Sequence, residues 1–193
     1  NSNNIEDSMA RLVFSGSLEC EKREALSAYA QGVLTGIAES AGIEKLMVTS
    51  TIRTPRSQAE AMYNNIASGR YIRYRKAGQE VTNLCKRMID NKESREKTID
   101  AMVSLIDKLS ESGERVSRHC VSAEVYAKCN IVDVARSMTD FQAELFMRKL
   151  AEVEDVVKII QPISSRIGGD KISWDDSEPA IHIEIDIPEE YRV

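Results

Sequence analysis

Apolar and polar residues alternate strictly along Ala180-Ile181-His182-Ile183-Glu184-Ile185-Asp186-Ile187, the clearest strand signal in the chain. With a side-chain period of two, Ile181, Ile183, Ile185 and Ile187 share one face, and His182, Glu184 and Asp186 share the other. Taken alone, this pattern predicts an amphipathic strand at a sheet edge with a wet polar face.

Upstream, residues 1–20 are polar and irregular and read as an N-terminal arm. From Glu21 the pattern turns helical, with Leu26, Tyr29, Val33 and Ile37 at spacings of three and four and Gly42 as the stop. Leu46–Ser50 is a short, largely apolar strand. Thr54 and Pro55 read as an N-cap followed by proline at the first helical position, opening a helix towards Ser68-Gly69. A charged helical insert spans 70–113, with one stripe of Val81, Leu84, Cys85 and Met88 and a second of Ile99, Met102, Val103, Ile106 and Leu109. The two stripes predict an antiparallel helical pair laid on the body of the domain; the heptads are too short for a coiled coil.

Two short strands are expected next, Arg115–Ser117 and Asn130–Ala135. Thr139 and Gln142 form a capping box for a helix carrying Phe141, Leu145, Phe146 and Leu150. Val156–Ile160 is a buried strand, Gly168-Gly169 a turn, and Ile172–Trp174 a hairpin arm before the last strand. There is no internal repeat. Helices lead and strands cluster late, so the expected class is α+β: a small antiparallel sheet with flanking helices and an inserted helical pair, in one domain over 21–193.

Composition narrows the function. A chain of 193 residues can bury a full core. The net charge of -5 argues against nucleic acid as the main partner. The one basic run, Arg70-Tyr71-Ile72-Arg73-Tyr74-Arg75-Lys76, reads as a solvated loop. No apolar run approaches the ~18 residues of a membrane span. The chain opens on Asn1, which reads as a processed product or a fragment, and no signal peptide is visible. The cysteines (Cys20, Cys85, Cys120, Cys129) include no Cys-x-x-Cys pair, so a thiolate zinc site is not indicated; Cys120 and Cys129 bracket a short loop that a disulfide could close.

The candidate chemistry sits on the strands. Asp133 is the lone charge in the otherwise apolar segment Ile131–Ala135 and needs a partner, either a cation, a backbone cap or a metal ion. The chain has two histidines, His119 and His182. Two imidazoles and a carboxylate make a three-ligand zinc set with a fourth position left for water, whose pKa the metal would lower towards ~7. A carboxylate must then act as general base and acid, and Asp175, Asp176 and Glu178 stand just before His182. Arg53 is the candidate cation for an oxyanion or a substrate carboxylate.

These pieces together resemble a known family. Val48-Thr49-Ser50-Thr51-Ile52-Arg53-Thr54-Pro55-Arg56-Ser57-Gln58 is similar to the TSxxRTPxxQ segment of zinc D-alanyl-D-alanine peptidases, a group that extends to hedgehog-type domains and phage L-alanyl-D-glutamate endolysins. Ser117-Arg118-His119 resembles the family's SxH, Ile131–Ala135 its AxDI strand, and Ala180–Glu184 its closing strand. The resemblance implies Zn²⁺ held by His119, Asp133 and His182, Glu178 as the group that activates water, and Arg53 and Ser117 as substrate-holding residues. Glu184 and Asp186 would be left with supporting or solvent-facing roles. It implies a peptidase of peptidoglycan stem peptides working in the periplasm or cell wall, or secreted, as a host enzyme, a phage lysin or an antibacterial effector that an inhibitor or immunity protein would restrain. The alternative is an inactive binding module on the same fold.

The chain departs from the family pattern in three places. Thirteen residues separate His119 from Asp133, where the family reads H-x-x-G-x-A-x-D. Pro179 occupies the place of the catalytic acid in D/E-x-x-H, with Glu178 one residue away. The helical insert between Arg53 and His119 is long, which suggests a lid or wall for a particular substrate.

Overall fold

A computed structural model describes residues 9–161, 167–175, 178 and 180–192. The chain divides into two compact units: one combines the segment ending at Thr51 with the segment from Ala127 onward, and the other is Ile52–Tyr126.

The first unit is built on a six-stranded sheet in the order β1-β2-β3-β6-β4-β5. Its strands are β1 (Arg11–Phe14), β2 (Lys45–Ser50), β3 (Cys129–Val134), β4 (Val156–Gln161), β5 (Ile172–Trp174) and β6 (Ile181–Asp186). The four inner strands pair antiparallel, as the sequence predicts. Both edges differ: β1 runs parallel to β2, and β5 parallel to β4, so the sheet is mixed. The supposed N-terminal arm therefore contains a strand from Arg11, while residues 1–8 lie outside the described part. A parallel pair needs a crossover, and the helices between β1 and β2 supply it. The expected hairpin arm at Ile172–Trp174 is real as a strand but not as a hairpin.

The crossover holds α1 (Cys20–Glu24) and α2 (Ala28–Ser40), two helices where one was expected, because Ser27 is extended and caps α2 by accepting from the Ala30 N–H. The Ser27 N–H itself donates to the buried Asn130 side chain on β3 at 2.8 Å, fixing that break against the sheet. The fully buried stripe of α2 is Ala30–Leu34–Ala38; Tyr29, Val33 and Ile37 flank it half-buried. Helix α7 (Asp140–Glu152) has the expected capping box, and buries Ala143, Phe146, Met147 and Leu150 while Phe141 stays exposed. These helices share one core with Ile181, Ile183, Ile185, Val132, Val134, Leu46 and Val48.

The second unit is helical: α3 (Pro55–Ala67), α4 (Lys76–Asp90), α5 (Arg95–Glu111) and the short α6 (Ala123–Lys128), which runs two residues past the unit boundary. Helix α3 packs on both α4 and α5, so the expected pair is a trio. Its core joins Met62, Val81, Cys85, Ile99, Met102 and Ile106. Residues 115–117, expected as a strand, form none: Arg115 is irregular and Val116 and Ser117 are bends, and the segment between Cys120 and Cys129 folds into α6. Cys120 and Cys129 are not bridged to each other.

Helices α2, α3, α4 and α5 end in the same way, with the residue after the C-cap in the left-handed region and reversed backbone bonds to the last turn. Gly42, Gly69 and Gly113 do this without steric cost, but α4 uses Lys92, at φ 58°. Lys92→Gly is expected to raise the stability of the protein by about 0.5–1 kcal/mol in urea denaturation, the Cβ penalty partly offset by a more flexible unfolded chain.

Tyr29 marks where the C-terminus is tied down. Its hydroxyl donates to Asp155 and its ring stacks on Tyr191 with centroids 4.8 Å apart. The bond to the carboxylate, with burial behind it, pushes the Tyr29 pKa from 10.0 up to about 12. A raised value favours the neutral phenol in the fold, so its stabilisation is complete below pH 10.0 and disappears as pH climbs to about 12. Tyr29→Phe should cost about 1 kcal/mol at neutral pH. The stability gap between the two proteins should close across that alkaline window.

Candidate metal centre

The site begins with the position of β6. Flanked by β3 and β4, it is an inner strand and not an edge, and its polar face is buried rather than wet. His182 is fully buried and Glu184 is 6% exposed, while Asp186, at the end of the strand, is exposed.

Register then makes the contacts. Asp133 lies directly opposite His182 across the β3–β6 ladder, so the two side chains leave the same face. Asp133 Oδ1 is 2.9 Å from His182 Nδ1. Glu184, two residues along and on the same face, places Oε1 3.0 Å from His182 Nε2. Both ring nitrogens are thus held by carboxylates. Burial by itself pushes the His182 pKa down, but the two carboxylates outweigh it and raise it.

The TSxxRTPxxQ segment is used at both ends. Thr49 Oγ1 donates to the Asp133 carbonyl at 3.4 Å and Thr51 Oγ1 to the Lys22 carbonyl at 2.7 Å, which anchor the end of β2. In the helical unit, Arg53 N–H donates to the His119 carbonyl at 2.9 Å, and Arg53 and Cys120 form an isolated parallel bridge. Thr54 caps α3 by accepting from Ser57 N–H, with Pro55 in the first turn. Gln58, 2% exposed, accepts from the Ser117 hydroxyl at 3.1 Å. Arg53, Gln58, Ser117 and His119 are therefore brought to one place by backbone and side-chain bonds.

Cys120, next to His119, is not a nucleophile candidate. Burial pushes its thiol up to about 12 against the pull of the Arg53 guanidinium, so the thiolate is not populated at neutral pH.

His119, Asp133 and His182 each offer one ligand atom, and these atoms all lie within 4.8 Å of one another, a group that could hold a metal ion. The thirteen-residue separation is thus no obstacle to convergence. Two imidazoles and a carboxylate suit a borderline-soft divalent cation. Glu184 on His182 Nε2 leaves Nδ1 as the nitrogen that faces Asp133.

Glu178 is not one of this group. Its N–H donates to the Asp175 carbonyl at 3.2 Å. Asp176 and Pro179, which the sequence also singled out, lie outside the described residues. Gln58 takes part although the sequence gives it no role beyond its place in the motif, and of the two roles expected for Glu184 the structure shows the supporting one, not the solvent-facing one. The signal for Glu184 was its place two residues from His182, on the same strand face. Compared with known protein families, curated proteins and solved structures, the chain finds no match.

His182→Ala would leave the buried carboxylates of Asp133 and Glu184 facing each other without the imidazole. In chelator-treated protein it is expected to cost about 3–5 kcal/mol in urea unfolding. Adding Glu184→Gln to that variant should recover part of the loss, and unchanged stability of the single variant would show that the triad contributes nothing to the fold.

Proposed function

We propose that the protein is a zinc metallopeptidase acting on peptidoglycan stem peptides, in the manner of the D-alanyl-D-alanine peptidases that its motifs resemble. The observation that carries this reading is the convergence of His119, Asp133 and His182, the three residues that the resemblance nominates, to within 4.8 Å. The donor set fits zinc, with a fourth position left for water or substrate. When bound, zinc would supply Lewis acidity and lower the pKa of a water towards ~7.

The chain's own residues account for the rest. Asp133 and His182 are already aligned by the β3–β6 register, and Glu184 holds the His182 ring in orientation through Nε2, as carboxylates behind metal-binding histidines do. Glu178 would serve as the general base towards water and as the acid towards the leaving amine. Arg53, fixed by its backbone bond to His119, meets the substrate carboxylate or the developing oxyanion. Ser117, whose hydroxyl is held by Gln58, lines the substrate side next to His119. Among the described residues no helix is long and apolar enough to cross a membrane. Peptidoglycan as substrate places the enzyme in the periplasm or cell wall, or outside the cell, where an inhibitor or immunity protein is the natural restraint.

One observation favours a second reading, an inactive zinc- or peptidoglycan-binding module. Pro179 stands where the family carries its acid, and Glu178 is displaced by one residue.

Elemental analysis of protein purified without chelator is expected to find about one zinc per chain, lost in His119→Ala and in His182→Ala. Glu178→Gln should keep the metal and reduce peptide cleavage by at least ~100-fold in mass spectrometry of digested muropeptides. Zinc without any cleavage by the wild-type protein selects the binding module, and protein without zinc overturns the peptidase and the zinc-binding module alike.

A further inference from the structure

The helical unit carries a second feature, independent of the metal centre. A cavity of about 180 Å³ opens between α3, α4 and the 70–75 segment that joins them. Its apolar wall is Met62, Ile66 and Ile72, and the charged residues lining it are Arg70 and Lys86, both cationic. The segment beside it adds Arg73, Arg75 and Lys76, so the basic run singled out in the sequence borders a cavity as well as solvent.

The wall is shaped by a specific approach. A Cβ on Gly78 would come within 2.5 Å of Tyr74 Cβ, so glycine lets Tyr74 sit directly against α4. Burial raises the Tyr74 pKa, with the Arg53 guanidinium and the Asn65 side chain pulling the other way, which keeps the wall a neutral phenol.

One helical turn past Gly78 is Thr82, which also lines the cavity. Thr82 is 6% exposed, and its Oγ1 is shut off from solvent with no hydrogen-bond partner among the described residues. A buried hydroxyl left unsatisfied costs about 1–3 kcal/mol. Rotation about χ1 offers that hydroxyl other staggered positions from which to bond a guest. The fold thus maintains a hydroxyl that does nothing for the helix, next to an apolar recess with a cationic border.

We propose that this cavity is a binding site for a small amphipathic carboxylate, whose apolar group fills the recess, whose carboxylate meets Arg70 and Lys86, and which satisfies Thr82. The volume decides the size of the guest. Cavities of ~150 Å³ accept one benzene ring, so 180 Å³ takes a ring or branched chain with a short arm. Charge decides its sign, because among the described residues no acidic side chain lines the cavity to receive a cation. The site rests on the helical unit alone and not on the metal reading.

Titration calorimetry of the full chain with 3-phenylpropionate tests this, with 3-phenylpropanol and inorganic phosphate as controls, in the presence and absence of chelator. The expected result is saturable binding of the carboxylate below ~1 mM, with the alcohol and phosphate each at least about tenfold weaker. Chelator should make no difference, which separates the outcome from that of the metal site. Thr82→Val removes only the unpartnered hydroxyl. It should unfold at the same or a higher temperature than wild type while binding the carboxylate about fivefold more weakly. Lys86→Gln should weaken the carboxylate about tenfold and leave the alcohol unchanged. No binding of the carboxylate up to ~10 mM overturns the proposal. So does equal binding of acid and alcohol, or wild-type affinity in both variants.

Discussion

A buried histidine between two carboxylates, on a strand covered on both faces, is the constraint around which the sheet is arranged. Ionisable groups lose several kcal/mol of hydration on burial, and only close, well-directed partners offset that. Here the partners come from backbone geometry. Asp133 is placed opposite His182 by the β3–β6 ladder, and Glu184 is placed beside it by the two-residue period of the strand. A one-residue slip of β6 would send His182 and Glu184 into the apolar core and bring the isoleucines out. The isoleucine face and the ionisable face therefore specify the same register for opposite reasons.

Within each unit hydrogen bonds, only one of them backbone to backbone, hold the candidate residues. Thr49 bonds the Asp133 carbonyl, Arg53 bonds the His119 carbonyl, and Gln58 receives the Ser117 hydroxyl. Residues of TSxxRTPxxQ thus act on the Asp133 strand, on His119 and on Ser117. This gives a motif that looks like a run of small polar residues a mechanical meaning. It holds the groups that the proposed chemistry needs, and it does so before any metal is considered. Positions set in this way lose little entropy when a ligand arrives, which is what a metal or substrate site requires.

Much of the fold was legible because it depends on local rules. Gly42, Gly69 and Gly113 end helices where a left-handed residue is needed, Thr54-Pro55 starts one, and Thr139 with Gln142 caps another. The inner strands follow from apolar runs. What misled was anything that depends on neighbours. Arg11–Phe14 is too short to announce itself and becomes a strand only because β2 is there to pair with. Arg115–Ser117 has strand-like residues and forms no strand. Phe141 fits the helical period of α7 and yet faces solvent, because Phe146 and Met147 already fill the core side. The site divides in the same way. His119, Asp133 and His182 were nominated by residue type and motif order, whereas Glu184 and Gln58 take part through contacts that only the folded chain makes.

By itself, the sequence determined that Ile181–Ile187 is a strand with an apolar and an ionisable face, since alternation with period two has no other regular solution. Whether that second face was wet or buried was not in the pattern. An edge strand and an inner strand can share the same alternation, and so can a wet and a buried polar face. The tertiary structure decided both, with β6 between β3 and β4 and with His182 and Glu184 buried. Register sets Asp133 on one ring nitrogen of His182 and the strand period sets Glu184 on the other, and burial turns an amphipathic strand into a candidate metal centre, because a desolvated imidazole must bind something.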